Sequence, residues 1–341
     1  MDNVGNFFPI EISINLDALT QFRYPAVSPV QPLLSSLPSP LSAAGQQRFW
    51  YWRGWRVRYW FNPGPGGIED RPPLLLIHGF GANLNQWRHN LPALSQGGPV
   101  YALDLLGFGD SAKAATLYGA DLWADQVADF IQTVVGVPVA LVGHSLGALV
   151  ALTVTHHCPD WVLRLALVTV PLPAAREDLV PGWIAALSLK VESLVANPLL
   201  LRSLFSVVRR PSFLRRALRG IYTVPDQVDE DLVTLFALPP RDRGAARALC
   251  YLVRSRTSPS FSPSIKAMVA ELTVPTLLLW GELDRVVPIS QAQGLAALSP
   301  QVTFMPWPGV GHCLYDEAAE AFNDAIDRWR QGEVLNNETS G

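Results

Sequence analysis

Gly143-His144-Ser145-Leu146-Gly147 sets one serine between two glycines in the pattern G-x-S-x-G. An apolar run of strand type, residues 139–143, precedes it, and residues 146–157 carry helical apolar density behind it. A hydroxyl on a sharp strand-to-helix turn is exposed to attack a carbonyl, and flanking side chains would clash in so tight a turn. The helix that starts after Ser145 aims backbone N–H groups at developing negative charge. Such a nucleophile needs a base and an orienting acid, expected in the chain order Ser, Asp or Glu, His. Asp284 stands in WGELDRVVP, residues 280–288, after a strand signal, and His312 closes GVGH, residues 309–312, after the last one. Asp284 is thus expected to fix the tautomer of His312, which would take the proton from Ser145. Glu282, two places earlier, would leave the strand facing another way. The Leu146 N–H follows the nucleophile and is one expected oxyanion donor. The Phe80 N–H, in His78-Gly79-Phe80-Gly81, is the other, with its ring at the pocket mouth. His78, His89, His156 and His157 read as structural.

These residues need a scaffold, and the rest of the pattern supplies one. Strand-type runs at residues 73–79, 100–106, 139–143, 163–170, 276–281 and 302–307 alternate with helical spacing at 122–135, 146–157, 290–298 and 317–330. That alternation predicts an α/β fold with a mostly parallel central sheet and helices on both faces. It stops at Pro171 and resumes at Pro275, so a helical cap is expected as an insertion. The predicted organisation is an arm or linker (1–45, dense in Pro and Ser from 25), a first core part (46–170), the cap (171–265), a second core part (266–332) and a tail (333–341). Phe49, Trp50, Tyr51 and Trp52 precede Gly54, and Trp55, Tyr59, Trp60 and Phe61 follow it, with Arg53, Arg56 and Arg58 interleaved. A β-hairpin packed on the core is the main reading. A stacking platform for nucleic acid and a membrane-surface role are the alternatives.

Composition narrows the class. The 341 residues are 49% hydrophobic and 16% charged, with net charge -3, where soluble domains average roughly 25% charged residues. Disorder over most of the length is excluded, and overall charge speaks against a nucleic-acid partner. Residues 130–159 contain no Asp, Glu, Lys or Arg, a run longer than the roughly 20 residues that span a bilayer. Gly136, Pro138 and Gly143 punctuate it and His144, Ser145, His156 and His157 lie inside it, so a buried helix, strand, turn and helix are expected instead. Asp2, Glu11 and Asp17, without a basic flank, predict no export signal. Cys158, Cys250 and Cys313 have no metal-ligand spacing and fit a reducing compartment. No metal or organic cofactor is expected.

In order and spacing these pieces resemble the α/β-hydrolase superfamily from about residue 49 to residue 330. HGFGANLNQWRHNLPAL (78–94), ALDLLGFGDSAK (102–113) and DLWADQVADFI (121–131) look like the chlorophyll dephytylase and pheophytinase branch of cyanobacteria and plastids. That resemblance implies a serine esterase that cleaves the phytyl ester of chlorophyll-type pigments, in a cytoplasmic or stromal-type compartment or peripherally on a thylakoid membrane. His144 departs from it, standing where Asn is expected. The same stretches recur in other cap-bearing lipid and carboxyl esterases and in C–C bond hydrolases, which share the triad. Haloalkane dehalogenases and soluble epoxide hydrolases share the fold but use an Asp nucleophile, against which Ser145 argues. A non-catalytic pigment-binding accessory protein is the remaining class, and the intact triad weighs against it.

Residues 171–263 hold thirteen Lys or Arg against eight Asp or Glu. Arg202, Arg209, Arg210, Arg215, Arg216 and Arg219 alternate with apolar residues, without an acid among them. Basic and apolar together fit either an ordinary cap helix with solvated arginines or a peripheral membrane contact. Trp183, Ile184 and Leu187 are candidates to line a site for a small hydrophobic ester with a long acyl or isoprenoid chain. The oligomeric state stays open.

Overall fold

The computed structural model describes residues 45–65, 71–171, 205–256, 261–333 and 335. The arm, the tail beyond residue 335 and the predicted lining residues Trp183, Ile184 and Leu187 lie outside the described residues. Eight strands are described: β1 Gln46–Trp52, β2 Trp55–Asn62, β3 Leu74–Ile77, β4 Val100–Leu103, β5 Val139–His144, β6 Val162–Val168, β7 Thr276–Gly281 and β8 Val302–Trp307. The helices are α1 Leu91–Leu94, α2 Ala120–Phe130, α3 Leu146–His157, α4 Pro211–Ile221, α5 Glu230–Ala237, α6 Ala245–Arg256, α7 Ile265–Ala270, α8 Ser290–Ala296, α9 Leu314–Glu317 and α10 Ala319–Arg330.

The strands form one sheet in the order β1-β2-β4-β3-β5-β6-β7-β8. β1 and β2 are antiparallel, as are β2 and β4, and every other pairing is parallel. The expected hairpin turns at Arg53 and Gly54, both at positive φ (47° and 81°), the backbone of a two-residue turn that matches strand twist. Alternation along the central strands explains why, apart from Arg164 in β6, they carry no charge. Leu75 and Ile77, Leu141, and Leu165 and Leu167 join the core beneath α2 and α3. Leu74 and Leu76, Ala140 and Val142, and Ala166 and Val168 join the opposite core with α1 and α10. A strand covered on both faces reads as a continuous apolar run. The uncharged stretch 130–159 is of this kind: β5, a turn and α3, with residues 146–155 all buried. No helix among the described residues is long and apolar enough to cross a membrane.

Three of the boundaries that differ from the periodicity have a visible local cause. The strand expected over 100–106 ends at Leu103, because Asp104 turns its carboxylate to Arg58 and the Leu84 amide. The helix expected to run to Val135 changes at Ile131 into a π-helical turn, closed by left-handed Gly136. The last helix is two, since Ala318 (φ -131°, ψ 52°) breaks it between α9 and α10.

The helices α4, α5 and α6 lie between β6 and β7, where the insertion was expected. They are tied to the core by Asn83 Nδ2 donating to the Leu235 carbonyl (3.0 Å), Arg88 to Asp229 (2.9 Å), Lys113 to Asp242 (3.2 Å) and the Tyr118 N–H to Ser255 Oγ (2.9 Å).

Candidate active site

Ser145 sits between β5 and α3 with φ +53° and ψ -115°, a conformation disfavoured for any residue with a Cβ. Its N–H donates to the Val168 carbonyl of β6 (2.9 Å), and its carbonyl accepts from Ala148 and Leu149 (2.9 and 3.1 Å). The flanking glycines have a steric cause. A Cβ on Gly143 would lie 2.2 Å from the Gly147 carbonyl oxygen, and one on Gly147 would lie 2.3 Å from that of Ile77.

Asp284 leaves the end of β7 and is buried. Its Oδ1 accepts from the Val286 and Val287 amides at 2.7 and 2.9 Å, and its Oδ2 lies 2.8 Å from His312 Nδ1. The carboxylate is therefore fixed on one oxygen and free to orient the imidazole with the other. With Nδ1–H donating to Asp284, Nε2 of His312 is left as a proton acceptor. Glu282, the competing acid, is exposed.

The elbow and the His312 loop are joined directly. His144 Nε2 lies 3.0 Å from the His312 carbonyl, which can only accept, so Nε2 carries the proton. The His144 ring packs 4.8 Å from those of His312 and Tyr315. Burial, reinforced by His312, holds the His144 pKa well below the ordinary histidine value, so the ring is neutral. Its Nδ1 points toward Gly79, where a Cβ would come within 2.8 Å. His144 is thus a site residue that sequence reading noted only as a departure.

The Phe80 and Leu146 peptides, the expected oxyanion donors, follow β3 and open α3 respectively. Gly79 N–H donates to Gln86 and its carbonyl accepts from the Ala82 amide. Among the described residues, neither the Phe80 nor the Leu146 N–H has an acceptor. The Phe80 ring is exposed and meets Phe108 edge-on at 5.7 Å. His78 is structural, as expected: Nδ1–H donates to the Gly79 carbonyl (2.7 Å) and Nε2 accepts from the Leu105 amide (3.1 Å). Burial lowers its pKa.

Sequence reading missed the polar hub beneath this loop. Asp104 Oδ2 accepts from Arg58 Nε (2.6 Å) and the Asp110 amide (2.8 Å), and its Oδ1 accepts from the Leu84 amide (2.7 Å). Arg58 also reaches Asp110 (2.8 Å). Arg56 and Arg58 share one face of β2, so alternation alone gave no sign that Arg58 is buried. Among the described residues, no group of three or more His, Cys, Asp and Glu could hold a metal ion.

A parallel sheet with a strained serine at the end of β5, and an aspartate–histidine pair after β7 and β8, defines an α/β-type hydrolase. Residues 72–319 match the α/β-hydrolase fold family model, and the chain belongs to that family. It is 29% identical over 280 residues to the dihydrolipoyllysine-residue acetyltransferase component of an acetoin cleaving system from Pseudomonas putida, covering 80% of this chain and 66% of that protein. Epoxide hydrolase 3 of Xenopus tropicalis is 29% identical over 84% of this chain and 78% of its own length. The human (lyso)-N-acylphosphatidylethanolamine lipase is 26% identical over 76% of this chain and 79% of its own. A crystal structure of a membrane phospholipase A is similar at TM-score 0.66 and 26% identity, covering 85% of this chain and 86% of that one. A serine hydrolase involved in carbazole degradation (TM-score 0.67, 23% identity, 83% of this chain and 97% of that one) shares the fold.

Proposed function

We propose that the chain is a serine hydrolase that cleaves carboxylic esters of hydrophobic substrates through an acyl-enzyme. The observation that carries this reading is the buried Asp284–His312 contact of 2.8 Å, hydrogen-bonded through His144 to the strained turn that presents Ser145. In this mechanism His312 Nε2 takes the Ser145 proton as Oγ attacks the ester carbonyl, and Asp284 stabilises the imidazolium. The Phe80 and Leu146 N–H groups receive the oxyanion. The imidazolium then protonates the departing alcohol, and water, activated by His312, releases the acid. A hydroxyl at the elbow supports this route over one through an aspartyl ester. The lipase and phospholipase relatives support a greasy substrate. Within that class the phytyl ester of chlorophyll is the specific substrate to test, on the resemblance of residues 78–94, 102–113 and 121–131.

A peripheral contact with an anionic lipid surface belongs to the same proposal. Among the described residues Arg209, Arg210, Arg216 and Arg219 have no carboxylate partner, whereas Arg215 is paired with Glu230. Arg209, Arg243 and Arg247 line a cleft of about 360 Å³ in which Asp242, the one carboxylate among the described lining residues, is taken by Lys113. Unpaired basic groups beside apolar ones are what such a surface attracts.

The test compares wild type with Ser145→Ala on p-nitrophenyl butyrate, detergent-dispersed chlorophyll a and a meta-cleavage dienoic diketone. Ester hydrolysis lost about 10⁴-fold or more in the variant, with folding intact, is the expected result. Turnover of the diketone but of no ester overturns the esterase reading. Ester turnover without phytol release removes the pigment alone.

A further inference from the structure

His312 is held by more than Asp284. It lies in a short loop between β8 and α9, and a single carboxylate, Glu317, reaches back to the peptides on either side of it. Glu317 Oε2 accepts from the Gly311 amide (3.3 Å) and Oε1 from the Cys313 amide (3.2 Å). The His312 carbonyl between them is fixed by His144 (3.0 Å). The backbone of the histidine is thereby clamped from the elbow on one side and from α9 on the other.

The same carboxylate is also bonded to the cap. Glu317 Oε2 accepts from the Thr223 amide (2.9 Å) and from Thr223 Oγ1. Around this contact Tyr222 Oη donates to Asp316 (2.7 Å), and Gln227 Nε2 donates to the Glu317 carbonyl (3.2 Å). Gly311 has little spare space: a Cβ there would meet Thr223 Cγ2 at 3.1 Å and Glu317 Oε1 at 3.2 Å. A carboxylate accepting several N–H and O–H bonds makes strong, directional contacts. Here its donors come from two separate parts of the chain, and one part carries His312.

We propose that Glu317 is a positioning residue that couples the cap to His312, which rests on the reading of Ser145 and His312 as nucleophile and base. With the segment from Tyr222 to Gln227 docked, Glu317 is held by Thr223 and fixes both peptides flanking His312. When that segment shifts, Glu317 loses its Thr223 donors and the histidine loop loses its outer clamp. The cap thus governs turnover as well as access, because the imidazole is fully aligned only when Thr223 is in place. Sub-ångström placement of a base matters because catalysis depends on near-attack geometry.

The experiment compares Thr223→Val, Thr223→Ser and Glu317→Gln in the full chain, with p-nitrophenyl butyrate turnover and fluorophosphonate labelling as readouts. Thr223→Val keeps the amide donor but loses the hydroxyl, so kcat falls about three- to tenfold while KM stays within twofold. Thr223→Ser restores the hydroxyl and returns kcat to wild type. Glu317→Gln turns an N–H toward the donors and lowers kcat and the labelling rate about 10- to 100-fold. If Glu317→Gln does not fold, the Thr223 pair decides the question. Equal kcat in wild type, Thr223→Val and Thr223→Ser overturns the coupling. A loss in Thr223→Val that Thr223→Ser does not restore also overturns it, because the hydroxyl is then not the link. Failure of the underlying reading looks different: Ser145→Ala then retains turnover, whatever the Thr223 variants do.

Discussion

Asp104→Ala tests the physical claim that the loops beneath the site are held by one buried ion pair. The Arg58 and Asp104 side chains are 5% and 0% exposed and meet at 2.6 Å. Removing the carboxylate leaves a buried guanidinium with Asp110, itself 46% exposed, as its remaining anion at 2.8 Å. It also strips the Leu84 and Asp110 amides of their acceptor. Breaking a buried pair from one side costs about 3–5 kcal/mol, and each orphaned buried amide about 1–3 kcal/mol. The pair figure already contains the cost of groups left unpaired, and retained contact with Asp110 works the other way, so about 4 kcal/mol is expected. Against a total stability of about 5–15 kcal/mol the variant still folds. With a urea slope of about 3 kcal/mol/M, the midpoint followed by tryptophan fluorescence falls by roughly 1.3 M. Arg328→Ala, which breaks the half-exposed pair with Glu333, is the control, expected to cost under about 1 kcal/mol. The sign with pH follows from the carboxylate. Burial opposes its ionisation, but the Arg58 charge and hydrogen bonds outweigh burial and hold its pKa below the ordinary value. Its contribution is full above the unfolded pKa of about 3.9 and is lost as pH falls through the lower folded value. The gap between wild type and Asp104→Asn is therefore flat from pH 5 to 8 and shrinks in stronger acid. An Asp104→Ala midpoint that moves no further than that of Arg328→Ala refutes the reasoning.

Three further outcomes are expected. Gly147→Ala puts a Cβ 2.3 Å from the Ile77 carbonyl oxygen and yields insoluble protein, whereas Gly136→Ala, left-handed but with open space around it, costs about 1 kcal/mol in a urea melt. His78 and His144 have pKa values lowered mainly by burial, so the unfolded chain binds more protons in mild acid. Stability is complete above the unfolded histidine pKa of about 6.5 and falls below it, by up to about 1.4 kcal/mol per pH unit for each ring. Denaturation midpoints from pH 7 to 5 in wild type and His144→Phe check this, the variant showing the shallower loss. His144→Phe also removes the donor to the His312 carbonyl, and kcat on p-nitrophenyl butyrate falls about tenfold, a cost close to that of one hydrogen bond; unchanged kcat counts against the clamp.

The sheet and the residues of the proposed triad were legible because their causes are local. A strand covered on both faces must be apolar at every position, and a turn that brings Gly147 against β3 admits no side chain. Asp284 is preferred to Glu282 because the chain changes direction as it leaves β7 at Gly281, and Glu282 is exposed. The clamps around His312 have no such signature. Glu317 bonds to Thr223 across 94 residues of chain, and Arg58 finds Asp104 across 46. Nothing in the spacing of either residue separates it from a solvated charge. His144 was visible as a departure from the expected Asn, but its meaning depends on a carbonyl 168 residues away.

The aromatic hairpin shows how a compositional anomaly is resolved by packing. Trp50, Tyr59 and Tyr101 set their rings 5.6, 5.1 and 6.0 Å from Phe130, at the end of α2. Trp52 donates its indole N–H to Asp129 (2.7 Å). These rings close the edge of the core. The interleaved arginines are likewise engaged: Arg53 reaches Asp125 (3.1 Å), Arg56 covers Phe49 (4.5 Å to the ring centroid) and Arg58 serves the Asp104 hub. An arginine already holding an anion or an aromatic face has little left for an external one. Around α4, by contrast, Arg209, Arg210, Arg216 and Arg219 have no carboxylate partner among the described residues, so an external anion would meet unspent positive charge there. Vesicle co-sedimentation with Arg216→Glu and Arg219→Glu therefore separates the two regions. Binding to anionic vesicles falls several-fold in these variants and is unchanged by Arg53→Glu in the hairpin, whereas equal loss in both places means that the attraction is set by net charge alone.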